Sequence, residues 1–127
     1  MKLLLDTNRY ADLCADDPEV VRRLREAEAM FLPFVVIAEL RSGFLCGTRL
    51  RQNEATLNKF LNSPRSGVLY ADDQTTHHYA RIYRQLREQG TPIPHHDMWI
   101  AALAVQHNLH LFTRDAHFDH LPQIPRI

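Results

Sequence analysis

Short apolar runs that stop at turn residues alternate with longer segments of helical period along these 127 residues, and that alternation constrains the fold more than any other feature. Leu3-Leu4-Leu5, entered from Lys2 and stopped by Asp6-Thr7-Asn8, predicts a buried strand over Lys2–Leu5. Tyr10, Leu13 and Cys14 then share helical spacing, giving a short helix that ends near Asp16-Asp17. Pro18 suits the first turn of a second helix, PEVVRRLREAEA, with Val20, Val21, Leu24 and Ala27 on one face. Met30–Leu32 predicts a second strand, and after Pro33 the segment VVIAELRSGFLCG predicts a helix closed by Gly47. A polar connection, TRLRQNE, leads to helical pattern from Ala55 to Leu61, stopped by Asn62-Ser63-Pro64. A third strand follows over Gly67–Tyr70, and Asp72-Asp73 can cap the helix QTTHHYARIYRQLREQ, which ends at Gly90. Thr91-Pro92-Ile93-Pro94 is extended, because proline and the residue before it disfavour helix. HDMWIAALAVQHN is apolar nearly all round and therefore a buried helix, and Leu109–Phe112 closes the series as a fourth strand. Such alternation predicts an α/β fold: a mostly parallel central sheet of four to five strands with helices on both faces. The length suits a single domain over residues 1–127.

Composition narrows the partners. Lys+Arg and Asp+Glu are equal at 15 each, which argues against a protein held to nucleic acid by bulk charge but leaves room for a local basic patch. No apolar run approaches the ~20 residues that span a bilayer, so no membrane association is expected. One lysine and three leucines before Asp6 are too little for a signal peptide. Cys14 and Cys46 make no disulfide framework and no C-x-x-C, and a reducing, cytoplasmic setting is expected.

Four acids stand in unusual places. Asp6 ends the first strand, Asp115 lies just past the fourth, Asp97 opens the most hydrophobic helix, and Glu39 sits among Val, Ile, Ala and Leu. Each has an ordinary reading by itself: Asp6 as a turn residue, Asp97 as a helix cap, Glu39 as a surface position paired with an arginine. Taken together they read differently, since the carboxyl ends of parallel strands gather on one edge of such a sheet. Like charges brought together there need a cation, and carboxylates are hard oxygen ligands that suit Mg²⁺ or Mn²⁺. Such ions activate water and stabilise charge developing on phosphorus, the chemistry of phosphodiester hydrolysis.

In order, MKLLLDTN, LPFVVIAELRSG, IPHHDMWIAALA and LFTRDAHF resemble the four signature segments of PIN-domain ribonucleases. More narrowly they resemble the VapC-type toxins of toxin–antitoxin pairs. The resemblance spans nearly the whole chain, and its motifs are specific as a set: DTN, V-x-x-A-E-L, D-x-W-I-A-A and T-R-D. It implies a PIN-like sheet flanked by helices and an endoribonuclease, dependent on Mg²⁺ or Mn²⁺, that cuts single-stranded or loop RNA and inhibits translation and growth. Its metal-binding, catalytic acids map onto Asp6, Glu39, Asp97 and Asp115, with Thr7 and Thr113 as supporting small polar positions and Asn8 orienting Asp6 or a ligand water. It also implies a homodimer, a higher toxin–antitoxin assembly, and a cognate VapB-type antitoxin whose C-terminal segment covers the site. The alternative is a PIN-fold RNA- or protein-binding module without nuclease activity, which loss of acids would favour; all four acids are kept. His95-His96 replaces the polar residue many relatives carry before the third acid, and His96 would contact RNA or be held by its surroundings. Asp119 is peripheral to the metals or a turn residue.

Other chemistries lack their residues. The eight histidines contain no H-E-x-x-H and no cysteine partner at ligand spacing, and His117 and His120 have no further part of a zinc site. There is no G-x-S-x-G elbow and no G-x-x-x-x-G-K-[ST] loop. A phosphoaspartate enzyme of the haloacid dehalogenase type would need an acid where Asn8 stands. Arg41, Arg49 and Arg51 are candidates for RNA or antitoxin contact, as Arg81, Arg84 and Arg87 are for RNA, against the ordinary reading of solvated helix faces.

Overall fold

The computed structural model describes residues 1–127. The chain runs β1 (Lys2–Leu5), α1 (Thr7–Cys14), α2 (Pro18–Glu26), β2 (Ala29–Pro33), α3 (Phe34–Cys46), α4 (Leu50–Leu61), β3 (Ser66–Leu69), α5 (Asp73–Gln89), α6 (His95–Gln106) and β4 (His110–Phe112), and ends in a 3₁₀ turn over Ala116–His120. The four strands form one sheet in the order β3-β2-β1-β4, and every pairing is parallel. Leu3, Leu4 and Leu5 lie in the centre of that sheet and are fully buried, as expected of a strand covered on both faces. Leu4 pairs with Phe31 of β2 on one side and Leu111 of β4 on the other.

The strand order reverses direction at β1. Right-handed crossovers carry β1 to β2 and β2 to β3 in one direction, which places α1 to α4 on one face of the sheet. The return from β3 to β4 places α5 and α6 on the other. Within each face α1 packs on α2 and α3, α3 packs on α4, and α5 packs along α6, while α3 meets α6 across the division, with Phe34 against Trp99. Met98, Ile100 and the run Ala101–Ala104 are all buried in α6, which accounts for its unpatterned apolar sequence.

Local chemistry sets the helix ends. Asp17 accepts from the backbone N–H groups of Glu19 and Val20, ahead of Pro18 in the first turn of α2. Asp72 and Thr75 form a reciprocal capping box at α5, and Gln106 of α6 donates to Asp72 at 2.9 Å. Gly90 closes α5 in the left-handed conformation, with φ of 71°. At the far end of α2, the Arg65 guanidinium donates to the carbonyls of Leu24 and Arg25 at 3.2 and 3.3 Å and also to that of Ala27. It ties the β3 edge to that helix.

Two segments depart from the periodicity reading. α4 begins at Leu50 rather than Ala55; its early turns are mostly exposed and Leu57 is its one buried residue, so the apolar period is silent there. The tail beyond β4, where no element is expected, is anchored in the core: Phe118, Leu121 and Ile124 are buried. Leu111 exchanges backbone hydrogen bonds with Pro125 and Ile127, a single parallel bridge added outside β4.

Candidate active site

β1 and β4 are neighbours: α1 follows β1 on one face of the sheet and α6 leads into β4 from the other, so a crevice opens past their carboxyl ends. Asp6 occupies the first position after β1 and is 6% exposed. It caps α1 by accepting from the Arg9 N–H at 2.9 Å, and its other oxygen accepts from the Thr113 hydroxyl just past β4. The Thr113 oxygen in turn accepts from the Asp115 N–H at 3.0 Å. Thr113 therefore joins the ends of the two strands and sets the positions of two acids.

Asp97, in the first turn of α6, is 8% exposed. Asp115 caps the 3₁₀ turn by accepting from the His117 N–H at 2.9 Å. His117 Nδ1 lies 2.7 Å from an Asp97 carboxylate oxygen and 3.2 Å from one of Asp115. One ligand atom from each of Asp97, Asp115 and His117 falls within 4.8 Å of the others. Glu39 sits on an exposed edge of α3, beside the buried Ile37 and Leu40, and its partners there are not arginines. The Thr7 hydroxyl donates to it at 2.9 Å and His96 Nε2 lies 2.9 Å from the same oxygen. Asp6, Thr7, Asn8, Glu39, His96, Asp97 and Asp115 line one cleft of about 360 Å³, together with Pro94 and Ile100.

Burial governs the electrostatics. It pushes the Asp6 carboxyl above its ordinary pKa, partly offset by the donors Thr113 and Arg9. Burial likewise raises Asp97, with His117 opposing and the Asp115 charge adding to the rise. Both groups are short of positive charge, and a cation is the group that would relieve this. The donor set, four carboxylates with the imidazoles of His96 and His117 against them, fits a hard divalent ion that also tolerates nitrogen.

The remaining residues singled out in the sequence divide. Thr7 holds Glu39, whereas Asp6 is held by Thr113 and Arg9. Asn8 is exposed on the rim. His95 turns away to Tyr79, with 2.5 Å between its Nδ1 and the phenol oxygen, while His96 faces the acids. Arg41 pairs with Glu54 at 3.2 Å. Arg49 donates to Gln52 and lines a second groove with Tyr10, Cys14, Leu40 and Phe44, and Arg51 is exposed on α4. None of these three arginines lines the acidic cleft. Arg81, Arg84 and Arg87 are exposed along α5, and Asp119 pairs with Arg126 at 2.7 Å. One residue against these acids that sequence reasoning sets aside is His117. Its signal was the Asp-x-His spacing at a strand-to-turn junction, hidden by comparing it only with other histidines.

The PIN domain family matches residues 3–124. Ribonuclease VapC1 of Haemophilus influenzae (strain R2866) is 30% identical over 119 residues, which cover 91% of this chain and 87% of that protein. Among solved structures, VapBC-1 from nontypeable Haemophilus influenzae superposes with a TM-score of 0.88 at 26% identity, covering 100% of this chain and 97% of that one. VapBC-5 from Mycobacterium tuberculosis, described as a member of the VapBC family of toxin–antitoxin systems, superposes with a TM-score of 0.75 at 28% identity, covering 99% of this chain and 98% of the other.

Proposed function

The chain belongs to the PIN-domain family, with VapC ribonucleases among its relatives, and from that premise we propose that it is a divalent-metal-dependent endoribonuclease toxin. Its substrate is single-stranded or loop RNA, in which it hydrolyses phosphodiester bonds and so inhibits translation and growth. The observation that carries this reading is the convergence of Asp6, Glu39, Asp97 and Asp115, from four separate segments, on one cleft at the sheet's switch point. Asp6, Asp97 and Asp115 would hold Mg²⁺ or Mn²⁺, with Glu39 completing the set from the rim. Bound there, the ion supplies the charge that polarises water and offsets the negative charge developing on the phosphoryl oxygens.

The protein's own part is positioning. Thr113 and the Arg9 N–H hold Asp6 in one orientation, and Thr7 and His96 hold Glu39. Side chains locked in this way cost little reorganisation when substrate arrives. No serine, cysteine or threonine nucleophile is required, because water is the attacking group. As a single PIN domain the chain acts in the cytoplasm as a homodimer and in a larger toxin–antitoxin assembly. It is silenced by a VapB-type antitoxin, a pairing carried over from the VapBC structures it resembles.

Asp6→Asn and Asp97→Asn each test the assignment, since amide replaces carboxylate at nearly constant shape. Each variant should lose RNA cleavage and growth inhibition while keeping the wild-type circular dichroism spectrum. Full cleavage by either variant, or by the wild type in excess chelator, refutes the metal mechanism. RNA binding undiminished by chelation, with no cleavage in any divalent ion, would make the protein a binding module instead.

A further inference from the structure

We infer that His117 is itself a ligand of the divalent ion, through Nδ1, and that this nitrogen tilts the site toward Mn²⁺ over Mg²⁺. The inference rests on the reading of the acidic cleft as a metal site and adds a residue and a selectivity to it. The imidazole does not merely lie near the acids. Its Nδ1 stands 2.7 Å from Asp97 and 3.2 Å from Asp115, so one ring atom faces both carboxylates. Adjacent ligands of an octahedral ion with bonds of about 2.1 Å are separated by about 3.0 Å, and the two observed separations bracket that value. The three ligand atoms all lie within 4.8 Å of one another, so a cation held between them would replace the Nδ1–Asp97 hydrogen bond and draw the three groups around itself.

Local structure keeps Nδ1 there. The Asp115 carboxylate accepts from the His117 backbone N–H at 2.9 Å, so the turn that presents the acid also presents the ring. Phe118 anchors that turn in the core at 1% exposure. The His117 side chain is 48% exposed, and its Nδ1, not its Nε2, makes the hydrogen bond to Asp97. When Nδ1 binds an ion, the ring proton resides on Nε2. Mg²⁺ strongly prefers oxygen, whereas imidazole suits the first-row transition ions, so a nitrogen donor strengthens Mn²⁺ binding more than Mg²⁺ binding.

A protonated His117 could bridge the same two carboxylates with no ion ligation, and pulsed electron paramagnetic resonance separates the two arrangements. Mn²⁺ is added below one equivalent to the purified full chain at neutral pH, and electron spin echo modulation is recorded for the wild type, His117→Gln and His96→Gln. Nitrogen modulation from directly bound imidazole is expected in the wild type and in H96Q, and is expected to vanish in H117Q. Calorimetry should show Mn²⁺ affinity falling in H117Q by about 10- to 100-fold, the range seen when the surroundings of metal ligands are altered, with Mg²⁺ affinity changed by less than about threefold on the oxygen preference of that ion. Bound Mn²⁺ with no nitrogen modulation in the wild type overturns the inference while leaving the metal site standing, and this result depends on no variant. Modulation that persists in H117Q, or disappears in H96Q, overturns it equally. An equal loss of affinity for both ions overturns the selectivity. Failure of the wild type to bind Mn²⁺ at all overturns both this inference and the metal-dependent function.

Discussion

Replacing Thr113 by valine should destabilise the metal-free protein by an amount that grows with pH. Valine keeps the shape of threonine but removes the hydroxyl that donates to Asp6 and accepts from the Asp115 N–H. Asp6 is 6% exposed, so water replaces the lost donor poorly, although the Arg9 N–H remains. A hydrogen bond to a charged group contributes about 1.5–3 kcal/mol, and one between neutral groups about 0.5–1.5 kcal/mol. Burial already raises the Asp6 pKa above 3.8, and the Thr113 donor opposes that rise. In T113V the folded-state pKa therefore climbs further, and the extra penalty appears as pH rises through the raised value of the wild type toward the still higher value of the variant. At pH 8 the loss should be about 2 kcal/mol, near the middle of the charged range. At pH 4, close to the ordinary carboxylate value of 3.8 and on the side where the raised folded-state pKa favours proton uptake by Asp6, it should shrink toward about 1 kcal/mol. For a domain of this size these correspond to roughly 6–10 °C and 3–5 °C in melting temperature. Thermal and urea unfolding in EDTA at the two pH values measure the difference. A gap that stays constant with pH, or a loss below about 0.5 kcal/mol at pH 8, would refute the claim that Thr113 stabilises an ionised Asp6.

Other expectations follow from the same geometry. A carboxyl whose folded pKa is raised loses stability as pH rises from its ordinary value through the raised one, so Asp6 and Asp97 should make the metal-free wild type less stable as pH rises above 3.8. D97N should flatten that decline, which unfolding curves in chelator can follow. Arg65→Ala should cost about 1.5–3 kcal/mol, because it strips a charged donor from the carbonyls that end α2; denaturant midpoints measure this, and cleavage activity per folded molecule should be retained. Gly90→Ala should cost about 1 kcal/mol, since its φ of 71° strains any residue with a Cβ, and the loss should appear as a lower melting temperature.

Most of the fold was legible in the order of residues, for identifiable reasons. A central parallel strand must be apolar on both faces, so Leu3-Leu4-Leu5 declares itself without reference to anything distant. Helix ends at Asp17-Pro18, Asp72 and Gly90 rest on contacts within a few residues. The start of α4 was not legible, because an exposed helix turn has no apolar period to read. Asp6, Asp97 and Asp115 were legible as acids at strand and helix ends from local pattern, and Glu39, inside a helix, joined them through the likeness to PIN motifs in sequence order.

Side-chain partnership was decided by tertiary structure alone. Asp6 and Thr113 are 107 residues apart and meet only because β1 and β4 are neighbours in the sheet. Thr7 adjoins Asp6 in the chain yet serves Glu39, 32 residues away, because the first turn of α1 rotates it out of the Asp6 environment. His117 looks like one histidine among eight until the 3₁₀ turn folds against α6 and brings its ring to Asp97. Local sequence determines which groups stand at the ends of elements. Which of those groups share a charge depends on distances across the sheet, and these exist only once the chain has closed.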